Sequence, residues 1–437
     1  MGKIHPKIVR DPDLCTGCRL CEIECSFCHV GGFEPSMARI RVQSRGEGKS
    51  PIPSVCLNCE HPECELVCPT GARSRDSETG VVIFEEERCV GCKMCLLSCS
   101  RAGLILDQEM DQFFLCDFCG DTPACVEACT HGALSLRDIR PVWNNLKGKE
   151  DLISPGIAAC QGCGGEWVLR FTVRVLGPNT VIGLPPCCVS ATGVVGFGTN
   201  TGAKIPITFT HLGNAASMMA GVKHHFQRQN REVNVVAFAG DGGTADIGFQ
   251  SLSAAAERGD NIIYICYDNE AYMNTGIQRS GTTPQGSWTT TTPVGKVSRG
   301  KRQPNKNIPI IMLMHNIPYI ATACCAYPED FMAKLEKASK VKDGLSYIHV
   351  LAPCPIGWRF PSQDTMKVGR RAVETNIFPL WEAEEGKIRL TKEIKFPKPV
   401  ETYTKLMGRY GHLTRQEIVD MQEMVNGRYE MLLALAS

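Results

Sequence analysis

The sequence lacks any long hydrophobic run. No stretch of its 437 residues approaches the roughly 18 to 20 apolar residues that a membrane-spanning helix needs. It also lacks an excess of charge of one sign, because 47 basic and 46 acidic side chains give a formal net charge of +1. We therefore expect no membrane span and no nucleic-acid partner. Residues 1–10 contain no apolar segment typical of secretory signals, which predicts a cytoplasmic location.

The length predicts two or three domains at about 100 to 200 residues each. A cysteine-rich first part gives way to an ordinary globular composition around Pro141 and Pro155. We predict a first domain over residues 1–138, a linker over 139–155, a second domain over 156–370, and an extension over 371–437. The extension is expected to pack on the core or on a partner, since its end has an amphipathic helical pattern.

Cysteine is the abundant residue, with 25 in total and 17 between Cys15 and Cys129. In a reducing compartment this density indicates metal ligation rather than disulfides. Three closely spaced thiolates wrap one [4Fe-4S] cluster and a fourth reaches a different cluster in two-cluster ferredoxins. Paired CxxC motifs also build zinc sites, but triplets with a distant fourth cysteine favour iron and sulfur. Four such groups predict four clusters: Cys15, Cys18, Cys21, Cys25; Cys56, Cys59, Cys64, Cys68; Cys89, Cys92, Cys95, Cys99; and Cys116, Cys119, Cys125, Cys129.

Residues 10–136 resemble the four-cluster electron-transfer subunits of the dimethyl sulfoxide reductase and formate hydrogenlyase type. The resemblance implies a small α+β polyferredoxin domain. It also implies that the first and fourth cysteine groups share two clusters and that the second and third groups share the other two. Cys28 lies outside the pattern and is interpreted as a packed or spare cysteine.

The second part of the chain alternates between strand and helix patterns. Residues 233–239 and 262–267 are typical of buried strands, and residues 244–258 between them have the apolar spacing of a helix. The alternation continues to residue 351, which predicts an α/β domain with a doubly wound parallel sheet. The long Gly-, Thr- and Pro-rich stretch over 270–306 is predicted to be a lid or a disordered loop.

The segment Gly240-Asp241-Gly242-Gly243 follows a predicted strand and opens a helix. Glycines at such a turn let backbone N–H groups approach a phosphate. A dinucleotide site is an alternative, because Gly240, Gly242 and Ala245 satisfy GxGxxA. Asp241 would repel a bare pyrophosphate, however, so a divalent cation bound together with a diphosphate is favoured.

The run GDGGTADIG, continuing to YDNEAYMNTGIQ, is similar to the thiamine-binding β chain of pyruvate:ferredoxin and related 2-oxoacid:acceptor oxidoreductases. The resemblance implies Mg²⁺ bound by Asp241, Asn269 and Ala271. It implies an activating glutamate supplied by a partner chain. Asn274 matches a family asparagine beside the reacting carbon and is a catalytic candidate, although it could equally hold the loop. The implied cofactor-binding residues are Gly240, Asp241, Gly242, Gly243, Asn269, Ala271, Tyr272, Met273, Asn274 and Cys188.

The same family holds a further [4Fe-4S] cluster near thiamine with four dispersed cysteines. The positions that match are Cys160, Cys163, Cys188 and Cys354. Cys187 stands where the family usually has glycine, so it remains an alternative ligand. The remaining cysteines of this part, Cys266, Cys324 and Cys325, lie in apolar segments and are expected in the core.

The resemblance implies the β subunit of an enzyme that oxidatively decarboxylates a 2-oxoacid with coenzyme A. The fused polyferredoxin makes phenylglyoxylate, converted to benzoyl-CoA and CO₂, the preferred substrate, with pyruvate, oxalate and other 2-oxoacids as alternatives. Expected partners are α- and γ-type subunits and an acceptor, either ferredoxin or a flavin subunit that reduces NAD. Two other hypotheses are an electron-transfer subunit with a vestigial thiamine site and a dinucleotide-dependent iron–sulfur reductase.

Overall fold

A computed structural model describes residues 7–44, 50–59, 62–75, 81–99, 103–107, 112–137, 150–194, 202–394 and 396–436. The chain divides into two compact units, Met1–Trp143 and Asn144–Ser437. Of the predicted linker, residues 139–149 lie outside the described residues. Residues 150–155 belong to the second unit, where Ile153 is fully buried and pairs with Ala203.

The first unit is built from short hairpins and short helices. Its elements are β1 (Lys7–Arg10), α1 (Leu20–Val30), β2 (Ile40–Gln43), β3 (Ile52–Val55), α2 (Glu63–Leu66), β4 (Arg73–Arg75), β5 (Val82–Phe84), α3 (Met94–Ser98), β6 (Ile105–Asp107), β7 (Gln112–Phe114), α4 (Ala124–Glu127) and β8 (Leu134–Arg137). β1 pairs with β8, and the pairs β2–β3, β4–β5 and β6–β7 are also antiparallel. This arrangement confirms the predicted small α+β domain.

In each cysteine group, the residue just before the second cysteine has a left-handed backbone conformation. The residues at this position are Gly17, Asn58, Gly91 and Phe118, with φ of 78°, 44°, 67° and 61°. Glycine adopts this left-handed conformation without steric cost, and asparagine tolerates it better than most residues. The repeat in the sequence is therefore also a repeat in the backbone.

The second unit is built around one eight-stranded sheet with the strand order β10-β9-β11-β12-β14-β13-β15-β16. The first six strands in this order are parallel, as predicted. Its elements are α5 (Gly164–Leu176), β9 (Thr180–Leu184), β10 (Ile207–Phe209), α6 (Ala215–Arg228), β11 (Asn234–Gly240), α7 (Phe249–Glu257), β12 (Ile263–Asp268), α8 (Ile308–Leu313), β13 (Tyr319–Cys324), α9 (Pro328–Lys340), β14 (Ser346–Leu351), α10 (Pro355–Trp358), α11 (Thr365–Glu374), β15 (Leu380–Glu384), β16 (Lys387–Lys392), α12 (Glu401–Thr404) and α13 (Arg415–Ala436).

The central strands β12, β13 and β14 are buried at every position. A parallel sheet covered on both faces requires such continuous apolar strands. The helices follow their sequence signals. α9, for example, starts at Pro328, which needs no hydrogen-bonded N–H there, and carries acidic residues in its first turn and lysines in its last. Local sequence and tertiary burial thus favour the same elements.

Two features differ from the prediction. The strands β15 and β16, from the predicted extension, join the sheet antiparallel, because the short turn between them cannot make a parallel crossover. The helix expected over residues 244–258 is divided into a wide turn at Gly243–Ile247 and α7. Close packing accompanies this break, since a Cβ atom on Gly248 would lie 2.0 Å from the carbonyl oxygen of Gly243.

The extension also contributes helix α13. Val425 and Leu432 of this helix are buried in different apolar clusters of the unit. Throughout the described residues, no helix combines the length and the apolar character that a bilayer crossing requires.

Candidate active site

The predicted cofactor site lies where two neighbouring parallel strands end. β11 runs into Asp241, and β12 runs into Asn269, with Gly240 paired to Tyr267 in the register. Open α/β sheets bind ligands outside the carboxyl ends of their strands. The fold therefore brings together residues that are 28 positions apart in the sequence.

Three oxygen atoms converge at this edge of the sheet. The side-chain oxygen of Asn269 lies 3.1 Å from Asp241 Oδ1 and 2.9 Å from the carbonyl oxygen of Ala271. With the amide turned over, its nitrogen would donate to both oxygens. With the oxygen inward, it faces two further acceptors, and both distances match the roughly 3 Å between adjacent oxygens around octahedral Mg²⁺. The three residues predicted to bind Mg²⁺ thus fit that cation.

Asp241 is buried, and its second oxygen is bound by hydroxyl groups of the long loop. Ser280 Oγ donates to Asp241 Oδ2 at 2.5 Å, and Thr282 Oγ1 lies 3.0 Å from the same oxygen. Burial, followed by the charge of Asp268, raises the pKa of Asp241 well above its ordinary value. A bound cation would offset this cost of keeping two carboxylates close together.

The loop over residues 270–306 is thus a wall of the site. Ser280, Thr282 and Thr283 are buried, and Lys301 Nζ donates to the carbonyl oxygen of Thr283 at 2.5 Å. The prediction of a lid or a disordered loop did not anticipate this role. No periodic pattern marks these hydroxyl side chains in the sequence, because their positions follow from contacts with distant strands.

Asp268 is held by a histidine from β14 that the sequence analysis missed. His349 Nε2 lies 2.8 Å from Asp268 Oδ2, and the hydroxyl of Tyr347 lies 2.7 Å from His349 Nδ1. Burial lowers the pKa of His349, whereas Cys266 and Asp268 raise it, to about 10 overall. The pair fixes Asp268 next to Asn269.

Gly242 and Tyr272, two of the residues predicted to bind the cofactor, pack directly on each other. A Cβ atom on Gly242 would lie 2.4 Å from the ring of Tyr272. The Tyr272 hydroxyl lies 3.1 Å both from the carbonyl oxygen of Gly242 and from Asp246 Oδ2. Asn274, the catalytic candidate, is exposed in the turn that follows.

Trp358, Arg409 and Glu270 form a buried group that contacts the turn at Asn269. Trp358 is fully buried, and its Nε1 donates to the carbonyl oxygen of Asn269 at 2.8 Å. The guanidinium of Arg409 lies 3.8 Å from the centre of the Trp358 ring and pairs with Glu270 at 2.5 Å. Burial raises the pKa of Glu270 to about 7, although Arg409 acts in the opposite direction. None of these three residues was predicted.

The same tryptophan links this turn to the predicted nearby cluster. The backbone N–H of Trp358 donates to the carbonyl oxygen of Cys354 at 2.9 Å, and that of Gly357 donates to Cys354 Sγ at 3.3 Å. The turn that carries one predicted cluster ligand therefore contacts the turn that carries one predicted Mg²⁺ ligand.

The four dispersed cysteines come together, as their mutual electrostatic effects show. Burial raises the pKa of Cys188, and Cys354, Cys163, Cys187 and Cys160 raise it further, in that order. The N–H of Ser190 donates to Cys187 Sγ at 3.4 Å, and burial, followed by Cys187 and Cys188, raises the pKa of Tyr267. Both neighbouring thiols therefore lie close to this tyrosine, so Cys188 stays the predicted ligand and Cys187 its alternative.

In the first unit, cysteines from different groups lie together. Burial and Glu22 raise the pKa of Cys21 to about 12, and Cys129 of the fourth group is the next cause, ahead of Cys15 and Cys18. Burial raises the pKa of Cys125, and Cys116, Cys25 of the first group and Cys119 raise it further. Cysteines of the first and fourth groups are therefore neighbours in two sets: Cys15, Cys18, Cys21 and Cys129, and Cys25, Cys116, Cys119 and Cys125.

One cysteine of the third group lies beside the second group. A cavity of about 140 Å³ is lined by Cys56, Cys59 and Cys64 of the second group and by Cys99 of the third. A Cβ atom on Gly103 would lie 2.8 Å from the Cα atom of Cys56, so the wall of this cavity is tightly packed. Outside this set remain Cys68, Cys89, Cys92 and Cys95, of which Cys92 is exposed.

Comparisons with known proteins agree with both sites. Residues 187–350 match the model of the C-terminal thiamine pyrophosphate-binding domain of thiamine pyrophosphate enzymes, and residues 50–139 match that of the 4Fe-4S dicluster domain. The chain is 44% identical over 430 residues to the β subunit of NADH-dependent phenylglyoxylate dehydrogenase from Aromatoleum evansii, covering 97% of this chain and 96% of that one. The chain belongs to the β subunits of the thiamine-dependent 2-oxoacid:acceptor oxidoreductases.

Other members of this family lack a counterpart to part of the chain. Pyruvate synthase subunit PorB from Methanothermobacter marburgensis is 49% identical over 283 residues, which are 64% of this chain and 96% of that one. Ketoisovalerate oxidoreductase subunit VorB from Pyrococcus horikoshii is 42% identical over 295 residues, or 66% of this chain and 94% of that one. The predicted thiamine and iron–sulfur cofactors of this β subunit are confirmed, and neither the dinucleotide nor the zinc alternative is supported.

Proposed function

We propose that this β subunit serves an enzyme that converts phenylglyoxylate, coenzyme A and an oxidised acceptor into benzoyl-CoA, CO₂ and a reduced acceptor. The proposed substrate rests on the domain architecture that this chain shares with one relative. The phenylglyoxylate dehydrogenase subunit aligns with 97% of the chain, whereas the PorB and VorB subunits align with about two thirds of it. Pyruvate is the second candidate, because PorB is 49% identical over the 283 residues that it shares with this chain.

The cofactor site of this chain divides the work among three sets of residues. Asp241, Asn269 and Ala271 would hold Mg²⁺, which in turn binds the diphosphate. The glycines at 240–243 allow the backbone to approach that diphosphate, and Tyr272 closes the site beside them. Thiamine diphosphate supplies, when bound, the carbon nucleophile and the electron sink that the decarboxylation requires. The protein contributes orientation and the exclusion of water.

The cysteines of both units would bind five [4Fe-4S] clusters, one near thiamine and four in the first unit. Iron–sulfur clusters supply one-electron steps at potentials set by hydrogen bonds and solvent exposure. The N–H of Gly357 bound to Cys354 Sγ and the N–H of Arg39 bound to Cys25 Sγ are bonds of this kind. They would raise the potential of the clusters that these thiolates bind.

The activating carboxyl group for thiamine is proposed to come from an α-type partner subunit. In the described part of this chain, the acidic side chains beside Asp241 already have partners. Asp268 contacts His349, Glu270 pairs with Arg409, and Asp246 pairs with Lys306 at 2.9 Å. A γ-type subunit and an acceptor, ferredoxin or a flavin subunit that reduces NAD, complete the proposal, with a cytoplasmic location.

The test is anaerobic purification of the native complex, followed by a screen of 2-oxoacids for cluster reduction in the presence of coenzyme A. We expect reduction by phenylglyoxylate, bound thiamine diphosphate, and about 20 iron atoms per β chain, four for each of five clusters. Reduction by pyruvate and not by phenylglyoxylate would overturn the substrate. A complex that contains iron but no thiamine, and that no 2-oxoacid reduces, would instead be an electron-transfer assembly with a vestigial site.

A further inference from the structure

Cys28 lies outside the fourfold cysteine pattern, yet the fold places it beside a predicted cluster ligand. The sulfur atoms of Cys28 and Cys119 and a ring nitrogen of His29 lie within 4.8 Å of one another. Cys28 is exposed and Cys119 is half-buried. A fifth thiol, that of Cys28, therefore lies next to Cys119 in the set Cys25, Cys116, Cys119 and Cys125.

Helix α1 determines the position of this thiol. Cys21, Cys25 and Cys28 follow one another at spacings of four and three residues, which places them along one stripe of a helix. The fourth cysteine of each other group is followed three residues later by Gly71, Ala102 or Gly132. The first group is thus the one whose sequence offers a third thiol on this stripe.

Cys119 differs from the second cysteines of the other groups. All four groups have a left-handed residue before the second cysteine, but Cys119 itself also has a positive φ, of 49°. Cys18, Cys59 and Cys92 have no such conformation. An L-residue adopts this conformation only at an energetic cost, so Cys119 is held less favourably than its counterparts.

His29 does not compete for the same position. Its Nδ1 lies 2.7 Å from the carbonyl oxygen of Cys25, and its Nε2 lies 3.0 Å from Asp117 Oδ1. Both ring nitrogens therefore have partners within the protein. Of these three side chains, the thiols of Cys28 and Cys119 are therefore the ones available to bind metal.

We propose that Cys28 is an alternative ligand for the iron atom that Cys119 binds. A zinc–thiolate bond is about 2.3 Å long and an iron–thiolate bond is of the same order, so two sulfur atoms this close can reach one metal position with small side-chain movements. In the exchange, one iron–sulfur bond breaks, another forms, and the thiol proton of Cys28 passes to the departing thiolate, with no change in electron count. This inference rests on the proposed cluster content of the first unit.

The test compares the iron content of anaerobically prepared full-length variants. We expect Cys119→Ala to keep its cluster, with a changed electron paramagnetic resonance signal after reduction, whereas the double variant Cys28→Ala/Cys119→Ala loses about four iron atoms. Cys92→Ala is the matched control. Its cluster is expected to include Cys68, whose position corresponding to Cys28 is Gly71, so it should lose iron without rescue.

Equal loss of iron in Cys119→Ala and in the double variant would overturn the proposal. A second measurement avoids any dependence on the folding of Cys119→Ala. Cys28→Ala alone should release iron to a chelator several-fold faster than the unmodified chain, and an unchanged rate would also overturn the alternative ligand. An unmodified chain that binds iron near thiamine but none in the first unit would instead refute the proposed cluster content itself.

Discussion

The two units of this chain hold their predicted metal sites in opposite ways. Among the described residues of the first unit, the buried apolar cluster has twelve members, and five of them are cysteines. One buried cluster of the second unit has 24 members and includes the single cysteine Cys266. The first unit is thus built largely from its own metal ligands, whereas the second has a core that its metal ligands do not form. We therefore expect metal binding to be coupled to folding in the first unit and not in the second.

The largest expected effect comes from removal of the clusters. A chelator with an oxidant should unfold the first unit, because five thiols of its core lose the metal that holds them together. The second unit should keep its cooperative unfolding transition. Hydrogen exchange followed by mass spectrometry would measure this, with loss of protection expected over residues 7–137. Protection retained there after complete loss of iron would show that the two units do not differ.

Replacement of Asp241 should break the thiamine site alone. Asp241→Ala removes one of three oxygen ligands, and we expect the affinity for Mg²⁺ and thiamine diphosphate to fall by more than about 100-fold. Iron content should not change, because the side chains bonded to this carboxylate are the hydroxyl groups of Ser280 and Thr282 rather than thiols. Calorimetry and metal analysis would measure both quantities.

Asp260→Asn is the matched control, since Asp260 is also buried in the second unit but pairs with Arg258. It should leave thiamine affinity unchanged. Parallel loss of iron in Asp241→Ala would mean that the thiamine site and the cluster near it are not separable.

A smaller effect is expected at Gly242. In Gly242→Ala the new methyl group would lie 2.4 Å from the ring of Tyr272, and displacement of that ring should cost about 1–3 kcal/mol of unfolding free energy. Denaturant unfolding of the second unit would measure it, together with weaker thiamine binding. Gly221→Ala is the control, because a Cβ atom at that position of α6 would meet no atom within 4 Å outside the adjoining backbone of the helix. It should stabilise the unit by up to about 1 kcal/mol.

Much of the fold could be predicted from local patterns. The strands predicted over residues 233–239 and 262–267 differ from β11 and β12 by one residue at each end, whereas the helix predicted from residue 244 starts at Phe249. Buried apolar runs and helical spacing decide these elements within short windows. The antiparallel pair β15–β16 was not predicted, because its place at the sheet edge depends on which strand has an unpaired side.

The residues of the candidate site also fall into those that the sequence predicts and those that it does not. Asp241, Asn269 and the cysteine groups were recognisable because their spacing is itself the signal. Ser280, His349 and Arg409 carried no such signal, although Ser280 bonds to Asp241, His349 contacts Asp268, and Arg409 pairs with Glu270. Each acts on a residue more than 35 positions away.

The sequence by itself determined the cofactor chemistry and the strand and helix pattern of this protein, because ligand types, glycine turns and apolar periodicity act over a few residues. Only the tertiary structure shows which cysteines from different groups are neighbours and which side chains support the turn at Asn269. The physical reason is that burial and hydrogen bonding depend on contacts between distant parts of the chain. Such contacts exist only once the strands have assembled.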